Sequence, residues 1–432
     1  MLKNKINKKE NPPTHKVTAR QSKIWDVLII GGGASGMMAA AVASSRSLSV
    51  LVLEKNRTLG EKLKITGGGR CNITNSEPDI HKMLKVYGEG APYLYSPFSI
   101  FGVKDTFEYF ESRGLPLVVQ ARNRVFPATE KAIDVFNVLH KELIKNNVTV
   151  KLNCIVSNII QNGNKIISIK TNQGEFRAHS FILATGGLSH PETGSTGDGL
   201  KFLREIGHTV VDPTPDVVPI MVGDSWVKNL AGVSLSFMKI TFYLNKVKQF
   251  SKTGKILFTH FGLSGPLILN SAKNIKKLLD KGVVTANIDL YPDTNIGDLE
   301  KRIIKVFDAN KNKMLKSVIK DIVPDGMTNA FEEIISFIDL ETKVHSVTRE
   351  DRRKIIDLLK SLPMSIEDLM GYDRSVVSDG GVILSEIDMK TMRSMLFSNL
   401  YITGDLLHIN RNSGGYSLQI CWTTGYIAGI SV

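Results

Sequence analysis

The sequence predicts an α/β fold in which a parallel-sheet domain is split by an inserted domain of strands and helices. The first observation is an apolar run at residues 24–30 that ends in a glycine-rich turn and leads into a helix of small residues. The second is a change near residue 200 to alternating apolar and polar residues, followed by helical spacing. The third is a return, near the end of the chain, to a short strand, a glycine-broken loop and a small-residue helix. These features are typical of a βαβ domain that closes around an insertion.

The first predicted elements form the βαβ unit. Residues 24–30 (IWDVLII) are apolar and β-branched, as in a strand buried on both faces. Residues 39–45 are rich in alanine, which suits a helix packed closely on a sheet, and residues 49–54 (SVLVLE) predict the next parallel strand. Alternation over residues 148–156, followed by residues 166–170, predicts an antiparallel meander leading to a strand at 181–184.

The inserted region is predicted to be mixed. Residues 238–244 alternate between apolar and polar side chains and residues 283–290 are apolar, so both predict strands. Apolar residues between 299 and 307 recur at helical spacing, as do those between 355 and 362 behind Thr348, a candidate N-cap. Residues 400–403 and 423–430 then predict the strand and helix that complete the first domain.

Composition indicates an ordinary globular protein. The chain has 432 residues, of which 42% are hydrophobic and 22% charged. Its three cysteines, Cys71, Cys154 and Cys421, are odd in number and far apart, which argues against a disulfide framework, a dithiol active site and a cysteine-rich metal site. No apolar run reaches the roughly 18 residues of a membrane span. We therefore expect a cytoplasmic protein without a bound metal and without a membrane partner.

Charge is concentrated near the start of the chain. The formal net charge is +13, and residues 1–24 hold seven lysines and arginines against one glutamate. This stretch lacks the apolar core of a secretory signal, so residues 1–23 are predicted to form a disordered basic tail. The milder excess over the remaining chain favours a polyanionic or nucleotide partner, while a solvated surface is the alternative explanation.

A dinucleotide-binding turn follows the first strand. The segment GGGASG at residues 31–36 has glycines at Gly31, Gly33 and Gly36, and the amides of Ala34 and Ser35 would open the helix, where a diphosphate binds. Glu54 ends the second strand with Lys55 beside it, at the position from which a carboxylate accepts hydrogen bonds from an adenine dinucleotide's ribose. The strand, the helix and the acidic residue occur at the spacing that the motif requires, which argues against a glycine turn that arose by chance.

The next segment is more specific. In TGGGRCN at residues 66–72, three glycines, the last of which is Gly69, allow the backbone to approach a flat ligand. The side chain of Arg70 can then bind a phosphate, and that of Asn72 can bind the edge of a ring. Here the sequence resembles the bacterial flavoproteins of the YhiN or BaiN type, also called the aminoacetone-oxidase family of FAD-binding enzymes. The resemblance continues through ATGG at 184–187, TGSTGDG at 193–199, FTHFGLSGP at 258–266, DGGV at 379–382 and the segment from GD at 404–405 to GGYSLQ at 414–419.

The resemblance implies a Rossmann-like, two-dinucleotide-binding FAD domain interrupted by a β-barrel-like and helical domain that covers the flavin. We place the FAD domain at residues 24–199 and 375–432 and the inserted domain at 200–374. FAD contacts are implied at Ala184, Thr185, Gly186 and Gly404, and at Asp405, which stands where the family usually has glutamate. The remaining implied contacts lie near the pyrimidine end of the ring, where a helix N-terminus stabilises reduced flavin: Gly414, Gly415, Tyr416, Leu418 and Gln419.

Two residues are candidates for the proton donor that flavin chemistry needs. Cys71 is first, because a thiol can protonate a carbon beside a developing enolate, although a cysteine in a glycine loop is as often a packing residue. His260 is second, since its motif would face the cofactor domain, although a hydrogen-bonded structural role is the alternative. His190 and His408 are weaker candidates beside glycine-rich loops.

Several functions remain open from the sequence. One is NAD(P)H-fed hydride transfer through flavin N5 to an activated C=C bond, with NAD(P)H visiting transiently because no second G-x-G-x-x-G is present. A second is reduction of uridine to dihydrouridine in ribosomal RNA, with which related proteins are associated and which the basic charge suits. A third is an amine or aminoketone oxidase that uses O2, and a fourth a non-catalytic FAD-binding protein. The partner is thus a small molecule or RNA, and the oligomeric state stays open, with a homodimer as one candidate.

Overall fold

The computed structural model describes residues 23–432. Residues 1–22, nearly all of the predicted basic tail, lie outside the described part. The first section of the chain contains ten strands: β1 (Ile24–Ile30), β2 (Val50–Leu53), β3 (Thr74–Asn75), β4 (Leu117–Gln120), β5 (Arg124–Pro127), β6 (Thr149–Lys151), β7 (Val156–Asn162), β8 (Lys165–Thr171), β9 (Gly174–Leu183) and β10 (Val210–Asp216). Its helices are α1 (Ala34–Ser45), α2 (Glu61–Ile65), α3 (Ile80–Lys85), α4 (Ala91–Ile100), α5 (Val103–Glu111), α6 (Ala132–Lys145) and α7 (Asp198–Glu205).

The middle section contains six strands and seven helices. The strands are β11 (Ile220–Val222), β12 (Ser234–Leu244), β13 (Val247–Thr259), β14 (Gly262–Ser264), β15 (Val284–Asp289) and β16 (Leu362–Leu369). The helices are α8 (Ser225–Asn229), α9 (Pro266–Leu269), α10 (Ala272–Leu279), α11 (Ile296–Ala309), α12 (Leu315–Ile319), α13 (Thr328–Ile334) and α14 (Arg349–Lys360). The last section adds β17 (Val377–Val382), β18 (Ile387–Asp388), β19 (Arg393–Ser394), β20 (Leu400–Ile402) and α15 (Tyr416–Ser431).

The main sheet confirms the predicted Rossmann-type arrangement. Its order is β18-β19-β20-β9-β1-β2-β6, and the five strands from β20 to β6 are parallel. β20 comes from the end of the chain and completes the sheet beside β9, so the domain is assembled from both ends of the sequence. Because β1 and β2 are covered on both faces, their side chains are almost entirely apolar, as residues 24–30 predict.

The predicted strand pairing is wrong for one element. Alternation over residues 148–156 predicts the first strand of an antiparallel meander, but Thr149–Lys151 pairs parallel with β2 at the edge of the main sheet. The antiparallel meander consists instead of β7, β8 and β9. The cause is that an edge strand, with one side open to solvent, shows the same alternation as a half-buried meander strand.

The inserted domain has a barrel and a core of its own. Strands β11, β14, β13, β12, β15 and β16 close into a barrel, and α11 and α14 pack beside it. The Thr348 hydroxyl accepts a hydrogen bond from the Asp351 amide at 3.0 Å, which confirms the predicted cap of α14. The two hydrophobic cores are separate clusters, one in each domain.

The chain crosses between the cores later than residue 200. That residue lies within α7, where Leu200 and Leu203 belong to the core of the first domain, and α7 contacts β10 and β17. The crossing segments are residues 217–219 and 370–376, which flank the antiparallel pair β10 and β17. Val217 is buried in the first crossing with φ +49°, a conformation in which a β-branched residue is strained.

Candidate FAD site

A cavity of about 810 Å³ lies between α1, the loop after β2 and the start of α15. Its volume is in the range of ligand-binding pockets. The predicted cofactor residues that line it are Gly31, Gly33, Ala34, Ser35, Glu54, Lys55, Asn72, Ala184, Thr185, Gly186, Asp405, Gly414, Gly415, Tyr416 and Leu418. The other predicted ones, which are not part of its wall, are Gly36, Gly69, Arg70, Gly404 and Gln419.

The glycines of the first turn have distinct roles. A Cβ on Gly31 would lie 2.5 Å from the carbonyl oxygen of Ala184, and one on Gly36 would lie 2.0 Å from the carbonyl oxygen of Gly31. Both glycines therefore permit close packing of β1, α1 and β9. Gly33 differs, because a Cβ there would meet no atom within 4 Å and the space before it is open. α1 begins at Ala34 without a side-chain cap, so its first amides and its dipole favour an anion in that space.

Glu54 is held in place by the backbone. Its carboxylate is buried and accepts hydrogen bonds from the amides of Gly32, at 2.7 Å, and Asn56, at 2.8 Å. The remaining lone pairs suit the hydroxyls of a ribose. Lys55, by contrast, forms an ion pair with Asp198 at 2.7 Å, which attaches α7 to this end of the cavity.

The glycine loop after α2 presents backbone to the cavity. Gly67 and Gly68 have φ values of +58° and +67°, so side chains are disfavoured there and a flat ring can approach closely. Asn72 lines the cavity, and its Oδ1 is buried without a hydrogen-bond partner among the described residues. Such an orphaned acceptor is costly without a ligand, since buried polar atoms normally find partners.

The prediction that Arg70 meets phosphate is not supported by its position. Its guanidinium donates to Gln120 at 2.8 Å, forms an ion pair with Glu130 and stacks over Phe126 with 4.4 Å to the ring centroid. These contacts hold Arg70 outside the cavity wall, where it anchors the glycine loop to β4 and β5.

The C-terminal segment brings Asp405 to the cavity but not Gln419. Asp405 is paired with Arg411, a fully buried residue that also donates to the hydroxyl of Ser417 at 3.0 Å. Asp405 is thus attached to the first turn of α15, and Tyr416, Ser417 and Leu418 of that turn line the cavity. Gln419 was expected near the ring, but it is buried and accepts hydrogen bonds from Thr74 and Thr106 at 2.6 and 3.0 Å. It holds elements together instead.

Neither predicted proton donor lies in the cavity wall. Cys71 is fully buried in the hydrophobic core of the first domain, and burial raises the pKa of its thiol to about 12. His260 is exposed in the turn between β13 and β14. The weaker candidate His408 is outside the wall as well, 3.5 Å from the carboxylate of Asp379.

His190, by contrast, lines the cavity. Its Nδ1 lies 2.8 Å from the carboxylate of Glu192, its backbone amide donates to Tyr372 at 2.9 Å, and its φ is +53°. A carboxylate on one ring nitrogen orients the imidazole and leaves the other nitrogen for a ligand or solvent.

Sequence reasoning missed Lys62. Its side chain lines the cavity, and its ammonium donates to the hydroxyl of Ser189 at 3.1 Å. Burial lowers the pKa of Lys62, and the nearby carboxylate of Asp405 opposes this shift. The sequence carries no signal for this position, because a lysine between two glycine turns is normally a solvated residue.

The inserted domain also contributes to the wall of the cavity. Pro266 and Leu269 of α9 and the adjacent Asn270 line the cavity. The side-chain oxygen of Asn270 accepts hydrogen bonds from the amide and hydroxyl of Ser413, at 3.0 and 2.9 Å. These bonds connect the two domains at the edge of the cavity.

Two negative findings concern residues 23–432. No helix in this range combines the length and the apolarity needed to cross a membrane. Nor does the same range contain a group of three or more metal-binding side chains arranged around a common point.

The site fits FAD. The open space before Gly33, at the start of α1, suits a diphosphate, and the fixed carboxylate of Glu54 suits the adenosine ribose. The side-chain-free loop at Gly67 and Gly68 and the start of α15 suit a flat isoalloxazine ring. We call the part of the cavity lined by Asn72, Asn75, Gly414 and Tyr416 the ring end.

Known proteins resemble this chain in both sequence and fold. The family described as HI0933-like protein Rossmann domain matches residues 25–431. A 3-dehydro-bile acid delta(4,6)-reductase of Clostridium scindens is 29% identical, covering 93% of this chain and 97% of its own. A ribosomal RNA dihydrouridine synthase of Haemophilus influenzae is 27% identical, covering 95% and 99%.

Solved structures agree on the fold. A 3-ketosteroid-delta4-(5alpha)-dehydrogenase of Rhodococcus jostii has a TM-score of 0.53 at 14% identity and covers 96% of this chain and 98% of its own. A flavocytochrome c3 fumarate reductase has a TM-score of 0.52 at 15% identity and covers 94% and 78%. Since the family match extends over nearly all of the described residues, the chain belongs to the HI0933-like Rossmann family and is an FAD-dependent oxidoreductase.

Proposed function

We propose that the protein uses NAD(P)H to reduce an activated carbon–carbon double bond. The observation that carries this proposal is one cavity that extends from the dinucleotide turn to a ring end walled by a second domain. The names of the relatives from Clostridium scindens and Haemophilus influenzae, a delta(4,6)-reductase and a dihydrouridine synthase, both denote saturation of a double bond. FAD, when bound in this cavity, would supply hydride transfer at its N5.

The residues of the chain have the tasks of binding, orientation and exclusion of water. Glu54 and the start of α1 bind the nucleotide half, while the loop at Gly67 and Gly68 leaves one face of the ring accessible. Pro266 and Leu269 provide an apolar wall that excludes water from the ring end. His190, oriented by Glu192, is the titratable cavity residue best arranged to hold a proton for the substrate.

NAD(P)H is proposed to bind only transiently. Among the described residues, the strand–turn–helix at Gly31–Gly36 is the one dinucleotide turn of this pattern, and its space is needed for FAD. A nicotinamide donor would therefore enter at the ring end, deliver its hydride and leave before the acceptor binds.

A second candidate substrate is uridine in ribosomal RNA. Relatives of this name from Haemophilus influenzae and Escherichia coli are 27% and 26% identical over 95% and 93% of the chain. The net charge of +13 is suited to a phosphate backbone. A base would have to leave its stack to reach the ring end.

Anaerobic stopped-flow spectroscopy of the FAD-loaded protein tests the proposal. NADPH or NADH should bleach the flavin absorbance, and an unsaturated acceptor should then restore it without O2. Unmodified ribosomal RNA and a 3-oxo-4-ene steroid are the two acceptors to compare. Restoration by RNA alone would establish the uridine substrate. Bleaching by neither nicotinamide, or recovery only with O2, would refute the proposed reductase.

A further inference from the structure

We infer that Arg122 and Arg124 form an oxyanion site at the ring end, and that the substrate is therefore an anion carrying phosphate or carboxylate. This inference rests on the proposed function, because it assigns the substrate class of the same cavity. Both arginines line the cavity, on the turn between β4 and β5 and at the start of β5.

Hydrogen bonds locate this turn beside the start of α15. The side-chain amide of Asn75 donates to the carbonyl oxygen of Arg122 at 3.1 Å and to that of Gly414 at 3.2 Å. Arg124 is the ladder partner of Asn75 across β3 and β5. The two arginines are thus attached to the ring end, whereas the diphosphate position is at Gly33.

The charges of these arginines are not compensated by the protein. Arg70 and Arg411, the other arginines of this region, are paired with Glu130 and Asp405. Among residues 23–432, neither Arg122 nor Arg124 forms an ion pair with a carboxylate. Arg124 uses its Nε to donate to the carbonyl oxygen of Ala121 at 3.2 Å, which leaves its terminal nitrogens for a ligand. Arginine forks match the geometry of carboxylate and phosphate.

The backbone of Arg122 adopts a turn conformation. Its φ is +63° and ψ +35°, a left-handed conformation that glycine or asparagine adopts with less strain. Pro266 and Leu269 line the same cavity with apolar surface, so the site suits an apolar or planar body with one oxyanion.

The chain offers variants that remove the charge without adding strain. Arg122→Gly suits the positive φ and should leave thermal stability unchanged or slightly higher. Arg124→Gln removes the second charge and retains a donor. The matched control is Lys246→Gly, because Lys246 is an exposed cation at φ +69° in the turn between β12 and β13, outside the cavity wall.

Binding to the FAD-loaded protein is measured by the perturbation of flavin absorbance. The carboxylate probe is 3-oxo-4-androstene-17β-carboxylate, with uncharged 4-androstene-3,17-dione as its partner, and the phosphate probe is a fifteen-nucleotide oligouridylate. Arg122→Gly and Arg124→Gln should each weaken at least one anionic probe by about tenfold or more. The uncharged steroid and the Lys246→Gly control should stay within about twofold.

The two anion sources give different results. Loss confined to the steroid acid assigns a small carboxylate substrate. Loss confined to oligouridylate assigns a nucleic acid phosphate. In that case the slope of log Kd against the logarithm of the salt concentration should also fall by about one.

Three results would overturn the oxyanion site. The first is that neither anion binds to the unsubstituted protein. The second is that Lys246→Gly loses as much anion affinity as the arginine variants. The third is that the arginine variants are impaired only in bleaching of the flavin by NADPH. Failure of the proposed reductase is distinguishable, because it would appear as missing nicotinamide bleaching while the anion binding and its loss in the arginine variants remained.

Discussion

At the scale of single residues, the side chains with local roles agree best with prediction. Gly31, Gly33 and Glu54 stand where the turn motif requires them, because their positions depend on one strand and the helix or strand after it. Arg70 and Gln419 instead contact residues far away in sequence, such as Glu130 and Thr74. No local pattern contains information about those partners.

Cys71 provides a first residue-scale prediction. Because its thiol is buried outside the cavity wall with a pKa raised to about 12, Cys71→Ala should leave the rate of flavin reoxidation by the acceptor within about twofold. The lost packing should lower the free energy of unfolding by about 1 kcal/mol. Anaerobic stopped-flow and urea unfolding measure the two effects. A hundredfold slower reoxidation in a fully FAD-loaded Cys71→Ala protein would restore the thiol as the proton donor.

Lys62 provides a second prediction at the residue scale. Its buried ammonium faces the cavity, so Lys62→Met should weaken FAD binding about tenfold through loss of one charge-assisted contact. Lys64→Met is the control, because Lys64 lies on the same helix, pairs with Glu61 at 2.7 Å and is not part of the cavity wall. Titration of the apoprotein with FAD, followed by fluorescence, gives both affinities. Equal weakening in the two variants would show that Lys62 has no specific role.

At the scale of elements, the packing of α1 on the sheet and on α15 decides the shape of the cavity. α1 consists almost entirely of buried small and apolar residues, and so does α15. Glycines permit their close contact: a Cβ on Gly425 would lie 2.4 Å from the carbonyl oxygen of Ser35. The sequence shows helices of small residues, but only the assembled domain shows which glycine meets which backbone atom.

The glycines of the first turn make this contrast testable. Gly36→Ala should cost about 3 kcal/mol or more, because the added Cβ would meet the Gly31 carbonyl at 2.0 Å and β1 would have to shift. Gly33→Ala should cost less than about 1 kcal/mol, since the space there is open, yet it should weaken FAD binding because the methyl group faces the expected diphosphate. Thermal unfolding of the apoproteins and FAD titration separate the two effects. Similar unfolding temperatures for both variants would contradict this assignment of roles.

At the scale of the whole molecule, polar contacts join the inserted domain to the first. Asp379 of β17 pairs with Lys273 of α10 at 2.7 Å and lies 3.5 Å from His408. Burial would raise the pKa of Asp379, but the neighbouring His408, Lys273 and Asn410 outweigh this effect and hold the pKa well below the usual range. The neighbouring carboxyl of Asp216 has a raised pKa, because it is buried.

This arrangement predicts a stability loss in acid. The depressed pKa of Asp379 contributes stability that is present above its unfolded value of about 3.8 and is lost as pH falls below that value. About 1 kcal/mol should be lost by pH 3, and this loss should be missing in Asp379→Asn. Urea unfolding of the two proteins from pH 6 to pH 3 measures it. Identical pH profiles would show that the Lys273 contact contributes nothing, and Asp298→Asn serves as an exposed control.

The sequence by itself determined the βαβ turn, the buried strands, the caps and the split of the first domain, because each depends on periodicity and backbone conformation over a few residues. Only the tertiary structure decided which side chains reach the cavity. Folding buried Cys71, paired Arg70 and placed Lys62 and Arg122 in the wall of one cavity. In the folded chain, the crossing between the domains lies at residues 217–219, later than the predicted boundary at residue 200. The physical reason is that burial and ion pairing depend on contacts between segments tens to hundreds of residues apart, which no local pattern records.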